Sequence, residues 1–282
     1  MKRSTNNLDL QSECIAMAKS FGGDIVLAKN RDRNYNPEIK IVKELTGYGV
    51  ELCYIVDVKT DWSEGMNDKG IAIINSALFV HRDEKEKKLS KTQMQSKDGI
   101  RIREALAKTN LVDVIDIILS FHGGVKGHTL VTDGKKLVSI EQTSRNKPVI
   151  KNINIKNKPF VRTNHGVAHP EAGYQRGKDR FSSVLRMSNA IKVINRTNDW
   201  EKLVPNIYNH KQDLGPKFDL VRNQNKLWTS CQFIMNVNKQ EMILYLIPKK
   251  VKFLGIENKI PKDYKSKINV NVKYCKKYQK TK

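Results

Sequence analysis

The first third of the chain reads as short apolar runs broken by polar and glycine turns. CIAMAKS and DIVLAKN are two such runs separated by Phe21, Gly22 and Gly23, a spacing that predicts a β-hairpin. Cys14 opens its first strand. EIKIVKEL, VELCYIVDV and GIAIINSALFV follow as strands, the last apolar enough for a sheet covered on both faces. Two helices are then expected, over Asp98 to Lys108 and Leu111 to Phe121, the second with Asn110 as N-cap and Gly123 as terminator.

HTLVTDGKKLVSIEQ predicts a hairpin turning at Asp133 and Gly134, and KPFVRTNH a strand with a polar end. From Arg176 to Asn195, Phe181, Val184, Leu185, Met187, Ile191 and Ile194 recur at helical spacing, which leaves Arg186 off the apolar stripe. A shorter helix is expected over Asp199 to Asn209, broken near Pro205. LWTSCQFIMNV and EMILYLIP form a last hairpin; beyond Pro248 the chain reads as basic, irregular and loosely attached. Strands, helices, strands, helices and strands without a βα repeat point to helical layers on antiparallel sheets.

Composition adds limits. With 282 residues, 39% of them hydrophobic, the chain can bury one sizeable core. No run is long and apolar enough for a membrane helix or a secretory signal, so a cytoplasmic protein without a membrane partner is expected. Four cysteines without CxxC pairing suggest neither a disulfide framework nor a zinc site, and only Cys14 has an unusual context. The 52 basic against 29 acidic residues give a net charge of +23, which makes nucleic acid a rival partner. The lysines are nevertheless spread along the whole chain and no nucleic-acid-binding motif accompanies them.

A cysteine at a mature N-terminus can use its own α-amine as base, because amine and thiol titrate within a unit of each other in model peptides. Around Cys14 the residues fall into a pattern. The glycine turn with AKNRD (Ala28 to Asp32), EGMNDKGIAIINSAL (Glu64 to Leu78), VRTNHG (Val161 to Gly166), SSVLRM (Ser182 to Met187) and LWTS (Leu227 to Ser230) resemble the choloylglycine hydrolase and acyl-CoA:6-aminopenicillanic acid acyltransferase group. The resemblance runs from about Cys14 to Pro248, in the family's order.

It implies an α+β fold, the four-layer αββα sandwich of N-terminal-nucleophile hydrolases. It also implies a leader, residues 1–13, removed by self-cleavage, an enzymatic domain over 14–248, and a basic extension over 249–282. Cys14 matches the nucleophile, Asp32 the carboxylate that orients its amine, and Asn75 the oxyanion donor. Asn164 matches the amide that holds nucleophile and substrate, and Arg186 a fixed positive charge near the sulfur. Lys29, where the bile-salt branch commonly has arginine, and His165 are assigned to substrate binding; the lysine and a shorter interval to Asp32 favour the acyltransferase-like branch.

The implied reaction is cleavage of a small linear amide through an acyl-thioester, with no cofactor and no metal; homo-oligomerisation is left open. A metal hydrolase built on His122 and His128 has no completing carboxylate nearby. A pseudoenzyme with the same fold is a further alternative.

Overall fold

A computed structural model describes residues 12–78, 91–120, 124–143, 146–156, 158–173, 177–210, 215, 217–224 and 227–275. The first strand and its hairpin partner, β1 (Ser12–Phe21) and β2 (Asp24–Arg33), are joined by Gly22 and Gly23 at φ of 61° and 98°. Those left-handed angles let a two-residue turn close without steric cost. β3 (Glu38–Leu45), β4 (Glu51–Asp57), β5 (Trp62–Asn67) and β6 (Ala72–Ser76) form a meander. The helices α1 (Lys91–Leu106) and α2 (Leu111–Leu119) interrupt it. Asn110 caps α2 as expected, its side chain accepting from the Asp113 N–H, a contact worth about 1 kcal/mol. Phe121, His122 and Gly123 lie outside the described residues.

β7 (Gly127–Thr132), β8 (Leu137–Gln142), β9 (Val149–Ile153) and β10 (Phe160–Arg162) follow, then α3 (Gly177–Asn195) and α4 (Leu203–Asn209). Pro205 does not break α4. It lies in the first turn, where its missing N–H has no intrahelical partner to lose, and a single 3-10 turn at Trp200–Lys202 precedes the helix. β11 (Trp228–Asn236) and β12 (Glu241–Leu246) make the last predicted hairpin.

The segment after Pro248 corrects the sequence reading. It forms β13 (Lys252–Lys259), parallel to β3, and β14 (Asn269–Tyr274), parallel to β12, so the chain crosses from one sheet to the other and back. Glu51, fully buried, holds the crossing: its carboxylate accepts from Ser266 Oγ at 2.6 Å, Lys267 N at 2.7 Å and Ile268 N at 3.3 Å.

One sheet has the order β10-β1-β2-β11-β12-β14 and the other β13-β3-β4-β5-β6-β7-β8-β9. Between them lie Ala16, Leu27, Ile41, Ile55, Met66, Ile74, Phe233 and Leu244. The outer face of the larger sheet, through Leu52, Tyr54, Ile73 and Val131, packs on Ile102 and Leu106 of α1 and Val114 and Ile118 of α2. On the outer face of the smaller sheet, Ile15, Met17, Val26 and Ile234 meet Ala190 and Ile194 of α3 and Leu203 and Ile207 of α4. Each fully buried aliphatic side chain adds roughly 1.5–3 kcal/mol, and these apolar contacts hold sheet to sheet and helices to sheets. This is an α+β, four-layer αββα sandwich. Among the described residues no helix is long and apolar enough to cross a membrane.

Candidate active site

The alternation of side chains along β1 and β2 decides which groups meet. Ala16 and Ala18 point between the sheets while Ile15 and Met17 point to the helices, so Cys14 faces the inter-sheet layer and Glu13 the helical one. On β2 the same rule sends Lys29, Arg31 and Arg33 between the sheets and Asn30 and Asp32 toward α3. Cross-strand pairing sets Cys14 opposite Arg31 and Glu13 opposite Asp32.

The inter-sheet side carries a buried string of charges that ends on Cys14. Lys29 pairs with Glu64, Arg31 lies 3.5 Å from both Glu64 and Asp57, and Arg33 Nε lies 3.7 Å from Asp57. Tyr35 donates to Asp57 at 2.6 Å, and Arg33 Nη1 donates to Cys14 Sγ at 3.8 Å. Burial by itself would lower the Arg33 pKa, but Tyr35, Cys14 and Asp57 around it outweigh that and raise it, so the guanidinium stays charged against the sulfur. A fixed cation there stabilises negative charge on sulfur.

The helical side carries a second cluster. Asp32 Oδ2 accepts from Arg186 Nη2 at 2.5 Å and lies 3.6 Å from Arg222 Nε, and its Oδ1 accepts from Thr229 Oγ1 at 2.6 Å. Glu13 pairs with Arg222 and lies 3.4 Å from Arg186. Arg186 is therefore not a solvated surface residue but fully buried, together with Ser182, Ser183 and Asn189 of the same helix, whereas Phe181 and Val184 are exposed. The middle of α3, Ser182 to Asn189, buries a polar face because it covers ions, which the apolar periodicity could not register. Arg186 serves Asp32 and Glu13; the cation on the sulfur is Arg33.

Asn164 reaches Cys14 directly. Its Oδ1 accepts from the Cys14 N–H at 3.1 Å, its Nδ2 donates to Ala77 O at 2.7 Å, and its own N–H donates to Ser183 Oγ at 3.0 Å. The loop behind it is fixed by Glu141, whose carboxylate accepts from the N–H groups of Val167, Ala168 and His169 at 2.9–3.0 Å. Gly173, at φ of 71°, is required there, since a Cβ would lie 2.4 Å from Asn164 O.

Asn75 is not brought to Cys14. Its Nδ2 donates to Thr129 Oγ1 at 2.8 Å and Lys126 O at 3.2 Å, on the helix-covered face of the larger sheet. Its neighbour Ser76 lies on the side of Cys14 instead, its Oγ donating to the Cys14 carbonyl at 3.4 Å. His165 is buried and its Nδ1 meets Ser183 Oγ at 2.9 Å and Thr163 Oγ1 at 3.1 Å, so it pins α3 to the site; burial lowers its pKa to about 4 and keeps it neutral. Lys29 is likewise committed, to Glu64 across the sheets. His128 belongs to the same wall, with Nε2 2.9 Å from His165 O, and its burial pushes its pKa down. Among the described residues no group of three His, Cys, Asp or Glu side chains could hold a metal ion.

Arg33, Ser76, Arg222 and Thr229 were not singled out from sequence. Period-two extension from Lys29 and Arg31 would have found Arg33, and Thr229 lies inside LWTS; Arg222, in a loop, has no periodic signal.

No protein-family model and no curated protein matches the sequence. Among solved structures, a Caenorhabditis elegans N-acylethanolamine-hydrolyzing acid amidase ortholog superposes with a TM-score of 0.55 at 14% identity, over 79% of this chain and 93% of that one. The fold is that of the N-terminal-nucleophile hydrolases. Weaker superpositions are with penicillin V acylase from Agrobacterium tumefaciens (TM-score 0.43, 8% identity, 84% of this chain and 86% of that one) and a mutant conjugated bile acid hydrolase from Clostridium perfringens (0.42, 13%, 80% and 87%). All three are N-terminal-nucleophile hydrolases of the choloylglycine hydrolase group.

Proposed function

We propose that this chain is a self-processing cysteine amidohydrolase that cleaves small linear amides, with Cys14 as nucleophile. The observation that carries the reading is the Cys14 backbone N–H held at 3.1 Å by Asn164 Oδ1, with Arg33 on the thiol, at the start of a strand in this fold. In the first step Sγ attacks the Glu13 carbonyl carbon, the C–N bond to Cys14 breaks, and its nitrogen leaves as the α-amine. Water then adds to the thioester, the C–S bond breaks, and residues 1–13 depart as a free acid. The amine so released takes the thiol proton in each later turnover.

In turnover Sγ attacks a substrate amide carbonyl, the amine product leaves with a proton from the α-amine, and water or a second amine resolves the acyl-thioester. Asn164 positions the amine through Oδ1 and offers Nδ2 to the oxyanion, a role that the family resemblance assigned to Asn75. Asp32, fixed by Arg186, Arg222 and Thr229, sets the charge around the strand end from which the amine is released. Cys14 is only 2% exposed while Ser12 and Glu13 continue β1 beyond it, so loss of those residues is also what opens the site. The four free thiols, all buried, suit a reducing compartment, and we assign the protein to the cytoplasm.

A panel of N-acyl p-nitroanilides tests the activity. Wild type releases p-nitroaniline and a Cys14→Ala variant does not; equal rates from the two proteins would remove Cys14 from the chemistry.

A further inference from the structure

We infer that the acyl group taken by this enzyme carries a terminal carboxylate four carbons from its carbonyl, a glutaryl-type acyl group, bound by Arg186 and Arg222 in the place that Glu13 vacates. The inference rests on the self-processing reading above and deepens it. During processing the acyl group on sulfur is the leader itself, and its last residue is Glu13. Whatever occupies the Glu13 position in that thioester is what a substrate acyl group must replace in the later ones. The Glu13 backbone carbonyl and side-chain carboxylate are the two ends of a five-carbon chain.

That carboxylate is buried, 4% exposed, and it is paired with Arg222 and lies 3.4 Å from Arg186. While the leader is attached, two guanidinium groups face two carboxylates, those of Glu13 and Asp32. Once the leader has gone, both arginines lose that carboxylate, while Asp32 stays 2.5 Å from Arg186 and 3.6 Å from Arg222 and a new α-amine forms at Cys14. Leader release thus removes one negative charge from a buried cluster and adds an amine to it, a change that favours an incoming anion. Both arginines are held from behind, Arg186 by the Leu220 carbonyl at 3.4 Å and Arg222 through Ser182 Oγ at 3.3 Å, so the site is pre-formed rather than gathered by the ligand.

The test uses wild-type protein shown by intact mass to begin at Cys14, titrated calorimetrically with glutarate and with pentanoate, which differ only in the far carboxylate. Glutarate is expected to bind on the order of a hundredfold more tightly, and glutaryl p-nitroanilide to exceed pentanoyl p-nitroanilide in kcat/KM by a similar factor. Arg222→Gln collapses both ratios and Arg222→Lys keeps part of them. Pentanoate binding as tightly as glutarate, or no glutarate binding, on protein that has lost its leader overturns the subsite alone. Retention of Glu13 by folded wild type overturns the self-processing reading and the subsite with it.

Discussion

Replacing Arg186 by methionine in a Cys14→Ala background, where Glu13 stays in every molecule, tests the buried cluster most sharply. The guanidinium is fully buried, 2.5 Å from Asp32 and 3.4 Å from Glu13. Methionine keeps most of the apolar stem, so the loss is that of the charge. Arg222 is then left to balance two carboxylates, and removal of one partner from a buried ion pair costs about 3–5 kcal/mol. An exposed pair would lose about 0–1 kcal/mol. At about 2–4 °C per kcal/mol for a chain of this size, the melting temperature falls by roughly 6–20 °C. Urea and thermal unfolding of Cys14→Ala and Cys14→Ala/Arg186→Met measure it, and adding Asp32→Asn is expected to recover about 1 kcal/mol or more by removing one stranded carboxylate. A loss below about 1 kcal/mol, or strictly additive effects of the two substitutions, would refute the reasoning and return Arg186 to the surface role its helical position suggests.

Asn164→Ala is expected to slow leader release on the order of a hundredfold, read as the fraction of uncleaved chain by intact mass over time; an unchanged rate removes Asn164 from the site. Glu51→Ala leaves Ser266, Lys267 and Ile268 without their shared acceptor and Lys43 without its ion pair, so stability drops by about 2–4 kcal/mol and protease cuts appear near 260–268; an unchanged digest pattern contradicts the clasp. His128 is held below its ordinary 6.5 first by burial, so between that value and its folded value the unfolded chain binds the proton and the folded protein does not. Its contribution to stability is therefore complete above about pH 6.5 and is lost as pH falls below it, with a slope of up to about 1.4 kcal/mol per pH unit. Urea midpoints across about pH 4–7 should fall less steeply in His128→Gln, and identical slopes contradict a neutral buried His128.

The β1–β2 hairpin, the β7–β8 hairpin and the capped α2 were readable because each carries a local signal in two- or four-residue spacing, whereas the four-layer arrangement is what the family resemblance implies. β5 was hidden because WSEGMN mixes charge and glycine; it is buried all the same because Glu64 meets Lys29 and Arg31, and a Cβ at Gly65 would lie 2.2 Å from Cys53 O. β13 and β14 were missed because they are half-exposed edge strands within a lysine-rich segment that reads as tail. Cys14 and Asn164, picked from short motifs at strand ends, meet in the structure, and Asp32 lies opposite Glu13, the residue before Cys14. Asn75 and Ser76 show how one residue in a strand is one whole face: Ser76 lies on the side of Cys14, and Asn75 bonds Thr129 on the other. Periodicity put Arg186 off the apolar stripe, yet it is fully buried, because a helix that covers ions buries polar residues, against the usual rule of amphipathicity.

Intact mass with N-terminal sequencing of the purified, folded protein, wild type beside Cys14→Ala, bears most directly on the central claim. Wild type should begin at Cys14, and Cys14→Ala should keep Glu13 attached. A folded wild type that retains Glu13 would contradict the account.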